Sequence, residues 1–118
     1  MTVFVYGSLK QNKKLHDFLK NAEFLGKAVT CKKYPLILSP SGWYPYLLNI
    51  PNTGFNIKGE VYKINYNLLK KLDRLEEVPF YYKRKRICVK INSKSISAWV
   101  YFYAGNKKFL VKDLIEEF

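Results

Sequence analysis

The chain has 118 residues, 48% of them hydrophobic and 17% aromatic, enough to bury a core and too few for two domains, so one domain over residues 1–118 is expected. That composition excludes disorder, and no apolar run approaches the ~20 residues of a membrane span, the longest being Ala98 to Ala104. The formal charge of +12 is large for this length and attracts anions at long range.

The N-terminus enters directly into V-F-V-Y, with no basic region or cleavage site before it, so no secretory signal is read and a cytoplasmic protein is expected. Thr2 to Tyr6 reads as a strand, broken by Gly7-Ser8. A glycine there allows close approach of a ligand or a positive φ, and consecutive N–H groups in such a turn form an anion-binding nest, although most such turns only connect elements. Leu15, Phe18, Leu19 and Ala22 have helical spacing after a cap at Asn12, with Gly26 closing the segment. His16 stands one step off that stripe as a boundary residue. It is the only histidine, which argues against a Ser-His-Asp triad and a histidine-rich metal site. Cys31 and Cys88 match no metal-ligand spacing, and each falls in a strand or at its edge, where a reduced, buried thiol is expected. No metal is expected.

From Lys27 onward the pattern changes to strands and turns. A-V-T-C-K-K-Y and P-L-I-L read as strands, S-P-S-G-W-Y-P as a loop carrying Trp43 and Tyr44, and Tyr46 to Ile50 as another short apolar run. Lys58 to Ile64 alternates so that Glu60 and Tyr62 share a face, and Glu60 reads first as a strand residue paired with one of the many lysines.

Asn65 can cap the helix that follows, in which Leu68, Leu69, Leu72 and Leu75 form one stripe. Glu76 extends that stripe. It returns to within roughly 20° of the direction of Leu69, while Lys70, Lys71, Asp73, Arg74 and Glu77 point elsewhere. An acid aimed at the interior costs free energy unless it is paired, protonated or put to chemical use. Two readings stay open: the helix frays ahead of Pro79 and the carboxylate turns to solvent, or it is held inward.

Tyr81 to Ile91 then forms a strand, N-S-K-S a turn, Ile96 to Tyr103 its hairpin partner, and Val111 to Phe118 a final short helix. Within that hairpin Lys83 to Arg86, K-R-K-R, is the densest basic cluster. A solvated or edge strand is the favoured reading of it, ahead of a nucleic-acid surface. Long helices do not alternate with the strands, so the class is α+β with a small, mostly antiparallel or barrel-like sheet.

The ordered set V-F-V-Y-G-S-L-K, G-E-V-Y, L-D-x-L-E-x-x-P, Y-x-R and Y-F-Y spans Val3 to Tyr103. It resembles the gamma-glutamylcyclotransferase-like superfamily, and within it the gamma-glutamylamine cyclotransferase and AIG2-like branch. The resemblance implies a small mixed, mostly antiparallel β-barrel with flanking helices and a pocket at one end. It implies that Glu76 is the general acid/base and that the turn Tyr6, Gly7, Ser8 and Leu9 holds the glutamyl part of a small-molecule γ-glutamyl substrate. Tyr82 and Tyr103 are implied to line or support the pocket, and Glu60 is read as structural. No cofactor is implied, and no membrane partner. The oligomeric state is left open.

The implied reaction fits these residue types. The α-amine of a γ-glutamyl amide attacks its own γ-carbonyl and expels the amine as 5-oxoproline forms, which needs positioning, proton transfer and oxyanion stabilisation. Burial would raise an ordinary glutamate toward the operating pH. A second acid, Glu77, and the high positive charge are not explained by the motif. A non-catalytic relative that binds a carboxylate and an amine is the alternative, and a basic nucleic-acid-binding module stands behind it.

Overall fold

A computed structural model describes residues 1–118. Its strands are β1 (Thr2–Val5), β2 (Glu23–Tyr34), β3 (Leu36–Leu38), β4 (Pro45–Leu47), β5 (Phe55–Lys63), β6 (Tyr82–Ile91) and β7 (Lys94–Tyr103), with one helix, α1 (Tyr66–Leu75). In the order β1-β5-β2-β6-β7 five strands close into a barrel, while β3 and β4 pair separately. Neighbours run antiparallel except β1 and β7, which meet in parallel at Val3 and Trp99. The mixed, mostly antiparallel barrel is therefore the architecture.

Sequence accounts for much of this locally. Asn92 and Ser93 both take positive φ, 48° and 70°, so the β6–β7 hairpin closes through a two-residue turn whose twist suits the strands. From Val3 to Val5 strand β1 is apolar because both its faces are buried. Phe4 points into the barrel with Val61, Val89, Val100 and Phe102, while Val3 and Val5 point outward under Leu69 and Leu72 of α1. Gly59 of β5 is needed where β1 crosses it, since a Cβ there would collide with the Val5 carbonyl and lie 2.6 Å from the Phe4 ring.

Several expectations are corrected. The segment from Leu15 to Ala22 forms one 3-10 turn, His16–Leu19, with i→i+3 bonds on either side. This tighter winding rises further per residue than an α-helix and spans the short path from β1 to β2. Gly26 does not close a helix. It lies inside β2 at φ 147°, where the register with β5 shifts by a bulge. Val111 to Phe118 is helical only at Val111–Asp113; beyond it the backbone bonds to the sheets, Ile115 N–H to Leu36 O and Lys58 N–H to Glu116 O. Glu60 pairs with no lysine. Its Oε1 accepts the Gln11 amide at 2.9 Å and the Tyr62 hydroxyl at 3.0 Å.

The two cysteines are not reduced thiols but bonded to each other, with Cα atoms 5.4 Å apart. The β2–β6 ladder is short, Val29 opposite Lys90 and Thr30 opposite Val89, and Cys31–Cys88 is the next step along that register. The bond therefore staples the short β2–β6 seam of the barrel. Replacing both residues, Cys31→Ser with Cys88→Ser, is expected to lower unfolding free energy by about 2–4 kcal/mol in urea titration. An unchanged midpoint would show that the seam holds without the cross-link.

Candidate active site

The helix that carries the candidate acid ends in a defined way. Asn65 Oδ1 accepts the Leu68 amide at 2.8 Å at one end. At the other, Glu77 takes the left-handed conformation (φ 52°), so that Glu77 N–H reaches Arg74 O at 3.2 Å and Val78 N–H reaches Asp73 O at 3.0 Å. This pair of bonds is the Schellman motif, which caps the last carbonyls and turns the chain sharply. The helix does not fray. Glu76, at the turning point, stays on the leucine side, half-buried, and of the two directions open to it takes the inward one.

It faces a cavity of about 540 Å³. The turn after β1 lines one part of it with Tyr6, Gly7, Ser8 and Leu9; Trp43, Tyr44 and Pro45 line another; Tyr81, Tyr82 and Tyr101 supply aromatic wall. Glu77 also reaches the cavity but is exposed. No ion pair involves Glu76, and burial alone pushes its pKa up to about 7. The phenols of Tyr6, Tyr82 and Tyr101 are held well above their ordinary range, chiefly by burial, with the charge of Glu76 contributing to each. They remain neutral hydroxyls at any working pH.

The turn itself is built by close packing. Gly7 has no positive φ; what it requires is space, because a Cβ would lie 2.9 Å from Pro45 Cδ and Cγ. Lys10 N–H bonds to Gly7 O at 3.0 Å and Leu15 N–H to Ser8 O at 2.8 Å, while the amides of Gly7, Ser8 and Leu9 donate to no protein acceptor. A turn with three amides that have no protein acceptor and the Glu76 carboxyl thus line one cavity. Tyr6 donates its hydroxyl to Tyr101 O, and Tyr82 donates to Pro45 O at 3.1 Å. Tyr103 does not line the cavity. Its ring stacks on Tyr46, centroids 4.1 Å apart, behind the aromatic wall.

Sequence reading missed two groups. Tyr81 bonds through its hydroxyl to Tyr44 (3.1 Å) and Tyr46 (2.7 Å), a chain that ties the 39–45 loop to the start of β6. Asp73, three residues before Glu76, accepts the Tyr101 hydroxyl at 2.8 Å and lies 2.9 Å from Arg84 Nε, an ion pair. The only signal for the first was the aromatic turn S-P-S-G-W-Y-P; for the second, an acid and an arginine placed in L-D-x-L-E and Y-x-R.

Comparison with known proteins gives a consistent set. The family model for gamma-glutamyl cyclotransferase, AIG2-like, matches residues 3–117. The gamma-glutamylaminecyclotransferase A of Danio rerio is 38% identical over 109 residues, covering 86% of this chain and 68% of its own. The gamma-glutamylaminecyclotransferase of Bos taurus is 39% identical over 92 residues, 74% of this chain and 55% of the bovine one. An AIG2-like protein from Mus musculus has the same fold, with TM-score 0.86 at 27% identity, covering 99% of this chain and 86% of that one.

An acid whose pKa is higher folded than unfolded binds its proton more tightly when folded. Stability therefore falls as pH rises from about 4.5 to about 7 and stays lowered above that. Glu76→Gln is expected to match the wild-type Tm near about pH 4 and exceed it above pH 7, the gap opening across that window. A gap independent of pH would show that the carboxyl is not desolvated. Gly7→Ala, forced against Pro45, is expected to cost about 1–3 kcal/mol in urea denaturation.

Proposed function

This chain belongs to the gamma-glutamyl cyclotransferase, AIG2-like family, and we propose that it converts a γ-glutamyl amide into 5-oxoproline and a free amine, with Glu76 as general acid/base. The observation that carries this reading is an inward carboxyl group without an ion-pair partner, its pKa pushed to about 7, sharing one cavity with a turn whose three amides have no protein acceptor. Names of relatives point the same way, to γ-glutamylamines as the substrate class.

The steps follow from chemistry. The substrate is held folded so that its α-nitrogen lies against its own γ-carbonyl carbon; intramolecular attack needs this geometry above all else. Glu76 takes a proton from the α-ammonium, which an ordinary carboxylate does poorly and one with a pKa near 7 does far better. The new C–N bond forms as the carbonyl becomes an oxyanion. Collapse of that intermediate breaks the original amide bond as Glu76 returns the proton to the leaving nitrogen, and the surplus proton of the ring nitrogen passes by the same carboxylate to the released amine, which departs as an ammonium. The amides of Gly7, Ser8 and Leu9 supply donors for the negative charge of the substrate carboxylate or of the oxyanion. Tyr6 and Tyr82, with hydroxyls already engaged, shape the glutamyl side as neutral walls. The leaving amine then points toward Trp43 and Tyr44, on a loop free to vary without disturbing the barrel.

The proton-accepting form of Glu76 is the carboxylate, so kcat/KM is expected to rise with pH through about 7. Incubation with γ-glutamyl amines, γ-glutamyl amino acids and glutathione, followed by mass spectrometry for 5-oxoproline, tests the reaction. Glu76→Gln is expected to lower turnover by about 10²–10⁴-fold while still binding 5-oxoproline. Full activity in that variant, or no release of 5-oxoproline from any compound by wild type, overturns the assignment.

A further inference from the structure

The pleat of β6 divides the run Lys83 to Arg86. Arg84 and Arg86 turn to one face, where both guanidinium groups lie over Trp99, with Cζ 4.2 and 4.6 Å from the ring centroid. Lys83 and Lys85 turn to the other face. There they line a second cavity, of about 500 Å³, with Lys107 and Lys108 from the segment that follows β7. This cavity shares no lining residue with the one that holds Glu76.

Both arginines lie on Trp99, and none of the four lysines has an ion-pair partner. The three ion pairs of the chain are Lys10–Glu117, Lys58–Glu116 and Arg84–Asp73, none of them in this cleft. No Asp or Glu lines it, and Asn49 and Asn106 are among its other lining residues. Lys107 alone has an aromatic contact, 5.8 Å from the centroid of Tyr46. Four like charges around one concavity raise each other's energy, and a bound anion lowers it.

We propose that this cleft is a binding site for a polyphosphate group, separate from the catalytic cavity. Lysine ammonium groups are compact point charges with rotatable donors, suited to phosphate oxygens approaching from several directions. One phosphate monoester carries about −1.5 to −2 and would leave about half of the four charges unmatched. Two or three linked phosphates match the set. Such a chain is present in inorganic polyphosphate and in nucleoside di- and triphosphates alike.

Isothermal titration calorimetry at low salt, with sodium tripolyphosphate and separately with ATP, tests the site. Three proteins are compared: wild type, Lys83→Gln with Lys85→Gln, and Lys20→Gln with Lys71→Gln, which removes the same charge elsewhere. Wild type is expected to bind one tripolyphosphate per chain. The cleft pair is expected to bind about tenfold or more weakly, and the control pair within about twofold of wild type. Equal weakening by both pairs, several weak sites per chain, or no binding by wild type overturns the proposal. Should the cleft pair not fold, Lys107→Gln with Lys108→Gln replaces it under the same criteria. Tighter binding of ATP assigns the nucleotide as the source of the phosphates, and equal binding assigns the phosphate chain alone.

Discussion

Helix α1 can meet the barrel in only one rotation. Leu69 and Leu72 must leave water, and burial of each is worth about 1.5–3 kcal/mol, far more than any alternative contact along a helix otherwise carrying lysines and Arg74. Asp73 sets the same rotation from the side, through the Tyr101 hydroxyl and Arg84. With the rotation set and Glu77 turning the chain in the left-handed conformation, Glu76 is directed over the end of β1. Its desolvation opposes folding, and the leucines beside it offset that cost. A raised pKa is the local expression of this conflict between helix packing and carboxylate solvation.

The other half of the site depends on β1. Its parallel contact with β7 is limited to Val3 and Trp99, so little ladder remains to hold its far end. The Tyr6 hydroxyl supplies a substitute by donating to the Tyr101 carbonyl of β7. Tyr101 is thus shared: its carbonyl secures the strand that leads into the Gly7 turn, and its hydroxyl secures the helix that leads to Glu76. The two walls of the cavity are registered through one residue. Family membership is consistent with this arrangement, and the barrel is held in common with the mouse AIG2-like protein.

The charge of +12 is not spread evenly in its consequences. Arg84 and Arg86 are absorbed by Trp99 and Asp73, and Lys14 lies over Trp43 in the lining of the cavity that Glu76 faces, 3.9 Å from the ring centroid. Four of the lysines that have no ion-pair partner, Lys83, Lys85, Lys107 and Lys108, gather at the second cleft. Planar guanidinium groups stack well on rings, whereas ammonium groups favour water or anionic oxygen, so a pleated strand alternating the two cations sorts them by face.

What the sequence determined by itself is what periodicity and local chemistry can carry. Alternation marked most strands, Asn65 marked the start of α1, the leucine stripe put Glu76 in line with the interior while leaving two directions open to it, and Gly7-Ser8 marked the turn. Each of those depends on residues a few positions apart. Tertiary structure decided the rest, because the deciding partners are remote in the chain. Cys31 meets Cys88 across 57 residues, Tyr44 meets Tyr81 across 37, and Glu60 is satisfied by an amide 49 residues away. Gly26 resembles a helix terminator until β5 pairs beside it, and the last residues resemble a helix until the sheets offer their backbone groups. A short segment takes whichever hydrogen-bond partners the closed barrel brings to it, and only barrel closure specifies which those are.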